Sequence, residues 1–282
     1  MSNEEEFIKG VDKLIPRPDI ALEVMTLANE TECPIQSLSQ KIKQDPSLMA
    51  NMLKMANSAY FGHMQEINSI TDIIVRLGVD TVKMLAITSA SAGLLKSPQE
   101  AYNIEPGALW RHSYATALLA SIIGRYGRCH ALSSLYTSAL LHDIGKIILN
   151  RHLQTACLNR GEEFKGGDII QFEQTMLHTN HARVAALLLR RWQLPEDIIA
   201  PVAHHHEANP KVDNGLNCQI VYLANYLTES IGIQAMDPDN YFYRLKETDT
   251  DVPQISYFND NIEAIITEFF EKFNESSTLE FN

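Results

Sequence analysis

Apolar residues recur every three or four positions along most of the chain, which is the spacing of amphipathic helices. Between residues 20 and 95 this spacing predicts several short helices, separated by Pro34, by Asp45-Pro46 and by Gly78. No stretch of useful length alternates apolar and polar residues in the manner of a strand. The first part of the chain is therefore predicted to be an all-helical unit without obvious chemistry.

The second part of the chain is predicted to contain longer and more apolar helices. They are expected over residues 106–126, 132–141, 168–178, 181–192, 215–231 and 261–273. Residues 151–167 are predicted to be irregular or weakly helical, and Pro98 and Pro106 mark a boundary.

An all-α protein in four parts follows from this pattern. The predicted parts are an acidic lead-in (1–14), an N-terminal helical subdomain (15–100), a second helical subdomain (101–232), and a polar segment with an amphipathic helix (233–282).

Composition and charge narrow the functional classes. Hydrophobic residues make up 45% of the 282 residues and charged residues 21%, as in ordinary globular proteins. A net charge of −12, with no basic cluster longer than Arg190-Arg191, speaks against binding to nucleic acid or to anionic membranes. The four scattered cysteines form no C-x-x-C pair, which favours reduced thiols. Because the acidic N-terminus lacks a signal peptide and no run approaches ~20 apolar residues, a cytoplasmic location is expected.

The segment from Ala139 to Ile148 is the most informative in the chain. It brings His142 and Asp143 side by side into an apolar stretch that is predicted to be a buried helix. Burying an imidazole beside a carboxylate is costly unless their charge is used, and a divalent metal ion is the usual user. Adjacent residues on a helix point about 100° apart, so further ligands would have to come from other helices.

Five histidines lie at predicted helix ends or beside apolar runs. They are His112, His142, His181, His205 and His206. Each could by itself be a hydrogen-bonded core residue. Together with Asp143 they predict a cavity for one or two divalent transition metal ions. Iron, manganese and zinc are all candidates, because imidazole with a single carboxylate suits these ions better than magnesium or calcium.

The motifs also resemble a known family. The segment from His142 to Lys146, reading His-Asp-Ile-Gly-Lys, is similar to the signature of the HD superfamily of metal-dependent phosphohydrolases. The segments Asp45-Pro46-Ser47-Leu48, Asn57-Ser58-Ala59-Tyr60-Phe61-Gly62 and Ile73-Ile74-Val75-Arg76-Leu77-Gly78 resemble the HDOD family of bacterial signalling output domains. The resemblance covers roughly residues 14–230.

This resemblance implies a fold, a ligand set and a role. It implies an N-terminal helical subdomain packed on an HD-like helical subdomain, in a signalling protein. It carries the metal-ligand role to His112, His142, Asp143, His181, His205 and His206. It also makes Asp143 and Lys146 the candidate catalytic residues, with Lys146 directed at a phosphate.

The sequence departs from the catalytic relatives at three places. Asn225 stands where an aspartate ligand is expected, so it is at best a weak ligand. Ala108 replaces a glutamate one turn before His112, and no Gly-Tyr-Pro follows His206-Glu207. The first two changes remove negative charge from the cavity, and the third speaks against hydrolysis of cyclic dinucleotides in the HD-GYP manner.

Two functions stay open at this point. The first is a regulatory or interaction module that acts through protein partners or by sensing a ligand. The corner at Tyr60-Phe61 is either a packed helix-loop corner or a contact for a ligand or partner. The second is a metal-dependent phosphohydrolase that acts on a nucleotide or another phosphate ester, with the metal clamping phosphate oxygens.

Overall fold

The structure, a computed structural model, describes residues 17–30, 35–57, 66–233 and 255–276, together with Phe7, Ile8, Val11 and Ile15. The corner at Tyr60-Phe61 lies outside the described residues. Among the described residues, no helix is long and apolar enough to cross a membrane.

The described chain is built from α-helices. The N-terminal helices are α1 (Asp19–Leu27), α2 (Ile35–Ile42), α3 (Pro46–Ala56), α4 (Ile70–Leu77) and α5 (Val79–Leu95). The later helices are α6 (Ala108–Tyr126), α7 (Leu132–Leu141), α8 (Ile144–Arg160), α9 (Ile169–Leu177), α10 (His181–Arg191), α11 (Glu196–Ala203), α12 (Gly215–Ser230) and α13 (Ser256–Ser276). A short 3-10 helix spans Glu100–Tyr102, and an isolated β-bridge joins Gln99 to Ile104. The predicted all-α fold is confirmed.

Capping side chains fix several of the helix starts. Asp45 accepts a hydrogen bond from the Leu48 amide at 2.9 Å, directly before Pro46 in the first position of α3. Asp168 accepts in the same way at the start of α9, and Asn180 at the start of α10. Each cap satisfies an amide that the helix itself leaves unpaired, so the chain has a defined starting point for each helix.

Helix α5 connects the N-terminal helices to the later ones. It packs against α1, α3 and α4 on one side and against α7 on the other. Across this contact the Thr88 and Tyr136 hydroxyl groups lie 2.8 Å apart in the interior. The second half is arranged around α6, which packs against α7, α12 and α13, while α8 and α11 pack against α10. One hydrophobic core runs through both halves.

Two local expectations need correction. Residues 151–167 were predicted to be irregular or weakly helical, but up to Arg160 they belong to the regular helix α8, whose buried face includes Leu149 and Leu153 and which Gly161, with φ of 66°, ends. His142 and Asp143 lie at the junction of α7 and α8 rather than within one helix, with Asp143 at φ −96° and ψ 3°. The junction redirects the chain at the point where the two polar side chains enter the core.

Candidate metal centre

Close packing of α8 on α10 positions the carboxylate of Asp143. A side-chain carbon added at Gly145 would overlap the backbone carbonyl oxygen of His181 and would lie 3.0 Å from the Ala185 amide. Only glycine therefore lets the start of α8 approach the start of α10 this closely. As a result Asp143 Oδ1 lies 3.2 Å from His181 Nε2.

Asp143 lies between two groups of histidines. Its Oδ2 atom lies 3.4 Å from His142 Nε2 and 3.9 Å from His112 Nε2. Its Oδ1 atom faces His181 Nε2 and, at 3.7 Å, His205 Nε2. His206 joins the second group, with its Nε2 atom 2.9 Å from His181 Nε2. The structure thus brings together all six predicted metal ligands, from four separate parts of the chain.

The other ring nitrogen of four histidines is bonded to an oxygen. Nδ1 of His142, His205 and His112 lies 2.6, 2.7 and 2.9 Å from the carbonyl oxygens of Ala139, Val202 and Ile233. Nδ1 of His181 lies 2.9 Å from the Glu173 carboxylate. Because these oxygens only accept, each Nδ1 carries the proton and donates it. In its neutral form, each of these rings therefore presents an unprotonated Nε2 toward Asp143.

This donor set fits a cation. Among the residues that the structure describes, His142 Nε2 and Asp143 Oδ1 are buried and have no hydrogen-bond partner, and the same holds for Asn225 Oδ1. Lone pairs that face one another without a proton between them are unsatisfied, and unsatisfied buried polar atoms are rare in native proteins. A divalent ion would satisfy them, and groups of three His or Asp side chains occur within metal-binding reach on both sides of Asp143.

Comparison with known proteins identifies the family. The profile of the HDOD domain matches residues 14–208. This chain belongs to the HDOD family.

Solved relatives share its fold. An HDOD domain protein of unknown function from Geobacter sulfurreducens is 23% identical, with a TM-score of 0.70 over 96% of this chain and 97% of that one. A proposed phosphohydrolase from Shewanella amazonensis is 19% identical, with a TM-score of 0.71 over 95% and 97% of the two chains.

A relative compared by sequence is an uncharacterised protein from Treponema pallidum (strain Nichols). It is 25% identical over 199 residues, which are 70% of this HDOD chain. The match spans only 38% of the length of that relative.

The Lys146 ammonium forms an ion pair with the Asp143 carboxylate in the HDOD chain. Lys146 is 3% exposed, and its Nζ atom lies 2.6 Å from Asp143 Oδ2. Burial raises the pKa of Asp143, but the positive charge of Lys146 and the contact with His142 outweigh burial and hold this pKa well below its usual value. Asp143 is therefore an anion in the site, and one of its two oxygens is already neutralised.

Burial also sets the charge of the histidines. It lowers the pKa of His112 to about 4, with a further contribution from His142. It lowers the pKa of His205 and of His206 well below the ordinary value, again with neighbouring histidines adding to the effect. Burial lowers the pKa of His181 too, but the Glu173 carboxylate outweighs it and the net shift is upward. Three of the rings are thus kept in the neutral form that a metal ion requires.

Glu173 and Tyr102 support the site, and the sequence analysis did not predict a role for either residue. Glu173 is fully buried and accepts from the His181 amide at 2.8 Å, from His181 Nδ1 at 2.9 Å and from the Tyr102 hydroxyl at 2.6 Å. A carboxylate behind a metal-ligand imidazole fixes its tautomer and its orientation. A signal was present, because Glu173 stands between Ile169 and Leu177 on the apolar face of α9.

The far wall of the site lies on α12, which packs against α6. Asn225 is 5% exposed, and its side chain is hydrogen-bonded to Glu229 one turn later. Burial raises the pKa of Glu229 to about 7, while the charges of Lys146 and Asp143 also act on it. Glu229 is thus a second acidic residue near the site that was missed, although its spacing of four residues from Asn225 is a signal. Ala108, at the start of α6, offers no ligand atom.

Proposed function

We propose that this HDOD protein is a signalling protein that holds a divalent transition metal ion at Asp143 and acts as a regulatory module through contacts with a protein partner. The ion would be iron, manganese or zinc, held by Asp143 and the histidines around it. Family membership supports the signalling role, and the converging Nε2 atoms support the metal.

The Lys146–Asp143 ion pair is the observation that favours a regulatory role over an enzymatic one. Within the described residues, Asp143 is the single carboxylate in the two groups of potential ligands, and Lys146 already occupies one of its oxygens. A second divalent ion there would meet a buried ammonium and a neutral Asn225 where an anion would be needed. The charge balance therefore favours one ion.

Phosphohydrolase activity is the second candidate function, and the presence of a lysine beside the histidines favours it. A bound divalent ion would supply Lewis-acid polarisation of a phosphate ester. Lys146 would then add positive charge next to the phosphate oxygens. Asp143 would orient the histidines around the bound ion. To do so Lys146 would have to leave Asp143, which is an unfavourable step for a buried charge.

One experiment separates the two functions. The full chain is purified without chelators, its metal content is measured, and the zinc-, manganese- and iron-loaded forms are assayed against phosphate monoesters, nucleotides and cyclic dinucleotides. Close to one equivalent of metal without turnover supports the proposal. Turnover that His142→Ala abolishes would establish the enzyme instead. Less than about a tenth of an equivalent of metal, in protein incubated with each ion, would show that the histidines only pack and hydrogen-bond.

A further inference from the structure

Helix α13 carries a wide apolar face, and the rest of the described chain covers only one edge of it. Among the described elements α13 packs mainly against α6, and on that side Ile265 and Phe269 are fully buried. Ile262 and Phe270 are instead 43% and 40% exposed. At about 100° per residue, Ile265 and Phe269 lie on one edge of the face and Phe270 on the other, with Ile262 between them. The edge that reaches Phe270 is therefore open to solvent.

The open edge is a continuous row of apolar side chains. Ile262, Ile266, Phe270 and Phe273 follow one another at intervals of four, four and three residues, which aligns them along three turns of the helix. We call these four residues the α13 stripe. The Phe270 ring centroid lies 5.4 Å from that of the buried Phe269, so the stripe continues directly from the core. Single exposed apolar residues are common, but a row of this length on one helix is the kind of surface that a partner helix binds.

Carboxylates border the α13 stripe on its solvent side. Asp260, Glu263 and Glu271 are all exposed. Glu263 precedes Phe270 by seven residues, which is two turns along nearly the same line of the helix. Lys272 is the single basic residue of α13, and it lies on the α6 side of the helix, where its Nζ atom is 3.9 Å from a carboxylate oxygen of the same helix. An occupant of the stripe therefore meets negative charge along its flank.

The charge of this border decides between two occupants. A second copy of the chain would place one α13 against another, with the acidic border of each beside that of the other. Like charges that face each other across an interface are unfavourable, and the whole chain has a net charge of −12. A helix with basic residues beside its apolar face would make both contacts favourable. Its apolar residues would cover the stripe, and its ammonium or guanidinium groups would face the carboxylates.

We propose that the α13 stripe docks an amphipathic helix of a partner protein, whose apolar face is flanked by lysine or arginine. This inference rests on the proposed role of the protein as a module that contacts a protein partner, and it adds the surface and the chemistry of that contact. The side chains that come together around Asp143 all lie outside α13. Metal binding and docking can therefore be measured separately.

The apolar and the charged part of the contact should have different effects on binding. Large apolar residues near the centre of an interface carry most of its affinity, so Phe270 and Ile262 should determine how slowly the partner leaves. Exposed carboxylates at the rim mainly speed association, and salt screens them. Docking should therefore weaken, without being abolished, when sodium chloride is raised from about 50 to 300 mM.

The test uses the full chain and labelled synthetic peptides, with binding followed by fluorescence anisotropy. The probe is a helical peptide of about 18 residues, with leucine along one face and lysine on both flanks. One control peptide has the same composition in scrambled order, and another has glutamate in place of every lysine. The probe should bind saturably and in equimolar ratio, and both control peptides should bind at least about tenfold more weakly.

Substitutions in α13 locate the binding. Phe270→Ser should weaken probe binding about tenfold, and Ile262→Ser and Glu263→Lys should each weaken it severalfold. Glu263→Lys leaves the apolar face intact, so it tests the contact even if Phe270→Ser disturbs the fold. Leu158→Ser is the matched apolar control, since Leu158 is 83% exposed on α8, and Glu163→Lys is the matched charge control at another exposed position. Neither control should change the affinity.

Equal probe binding by Phe270→Ser and Leu158→Ser, in folded proteins, would overturn the α13 stripe as the docking site. A dimer in sedimentation that Phe270→Ser abolishes would also overturn the proposal, because a second copy would then cover the stripe. Failure of the metal-loaded protein to bind the probe would overturn the docking surface and leave the metal centre as proposed. Probe binding at the stripe by a protein that takes up no metal would support the docking surface and contradict only the metal-dependent part of the proposed function.

Discussion

Glu173→Gln tests whether the carboxylate behind His181 prepares this histidine for a metal ion. In the native protein the two carboxylate oxygens accept three hydrogen bonds, from the Tyr102 hydroxyl, the His181 amide and His181 Nδ1. A glutamine of the same size has one acceptor oxygen and one donor nitrogen. His181 Nδ1 lies 2.9 Å from both carboxylate oxygens. If the glutamine oxygen keeps the His181 amide, the new amide nitrogen faces Nδ1 as closely as the oxygen does, and its N–H groups repel a proton on Nδ1. The tautomer with the proton on Nε2, the atom that lies 3.2 Å from Asp143 Oδ1, then becomes more favourable.

The expected cost falls on metal binding. His181 Nε2 would donate to Asp143 in the metal-free variant, so an ion would have to break that bond and reverse the tautomer. Changes in groups that orient metal ligands commonly reduce affinity 10–100-fold, or about 1.4–2.8 kcal/mol. We expect Glu173→Gln to lower zinc affinity by this amount, measured by competition with a chromophoric chelator.

Two variants serve as controls for this prediction. Tyr102→Phe removes one hydrogen bond to Glu173 but leaves the carboxylate on His181, so zinc affinity should fall less than in Glu173→Gln. Glu163→Gln removes one negative charge from an exposed position and should have no effect. Equal zinc affinities of Glu173→Gln and Glu163→Gln, in folded proteins, would refute the role assigned to His181.

Three further predictions concern packing, pH and charge. Gly145→Ala should destabilise the fold by about 1–3 kcal/mol in denaturant unfolding, because the added carbon meets backbone of α10; an unchanged midpoint would contradict the close approach. In metal-free protein, unfolding free energy should rise with pH from about 4.5 to 6.5, because His112, His205 and His206 have lowered pKa values and the unfolded chain binds more protons there. Glu229, with a pKa near 7, opposes this trend, and His181 acts mainly above the window, so a flat or falling profile would contradict the assigned burial. Asn225→Asp should raise zinc affinity about tenfold, and adding Ala108→Glu should raise it further; an unchanged affinity would place Asn225 outside the site.

The helices, and the side chains that come together around Asp143, could be predicted because they depend on local signals; that these side chains hold a metal ion stays a prediction. Proline at the first position of α3 and asparagine before α10 define helix starts within a few residues of chain. The histidines were conspicuous because each occupies a helix end beside an apolar run. Their convergence on Asp143 followed from the number of helices that end in this way and from the resemblance to a known motif.

The bonding around the ligands was not predictable in the same way. Sequence spacing does not show that the Lys146 ammonium turns back onto Asp143, since a lysine at that position could equally extend toward a ligand. Nor does it show that Tyr102, from the short 3-10 helix, reaches Glu173 on α9. Both contacts depend on how separate helices pack. The expectation that His142 and Asp143 lie within one helix was wrong for a related reason. The turn between α7 and α8 lies where Gly145 packs closely on α10, and sequence spacing does not show this contact.

The Lys146–Asp143 pair gives the five-residue motif from His142 to Lys146 a consistent physical role. Without a metal, an isolated Asp143 anion in the core would be very unfavourable, and Lys146 supplies the compensating charge from one turn away. Lys146 therefore allows the histidines and the carboxylate to be assembled before any ion arrives. The same ammonium opposes an arriving cation, because both need Asp143. If the site holds a metal ion as proposed, it would be stable when empty and would bind the ion less tightly than a site with free carboxylates, so its occupancy would vary with the supply of metal. Variable occupancy is of use to a regulatory module, whereas a hydrolase needs its ion in place for every turnover.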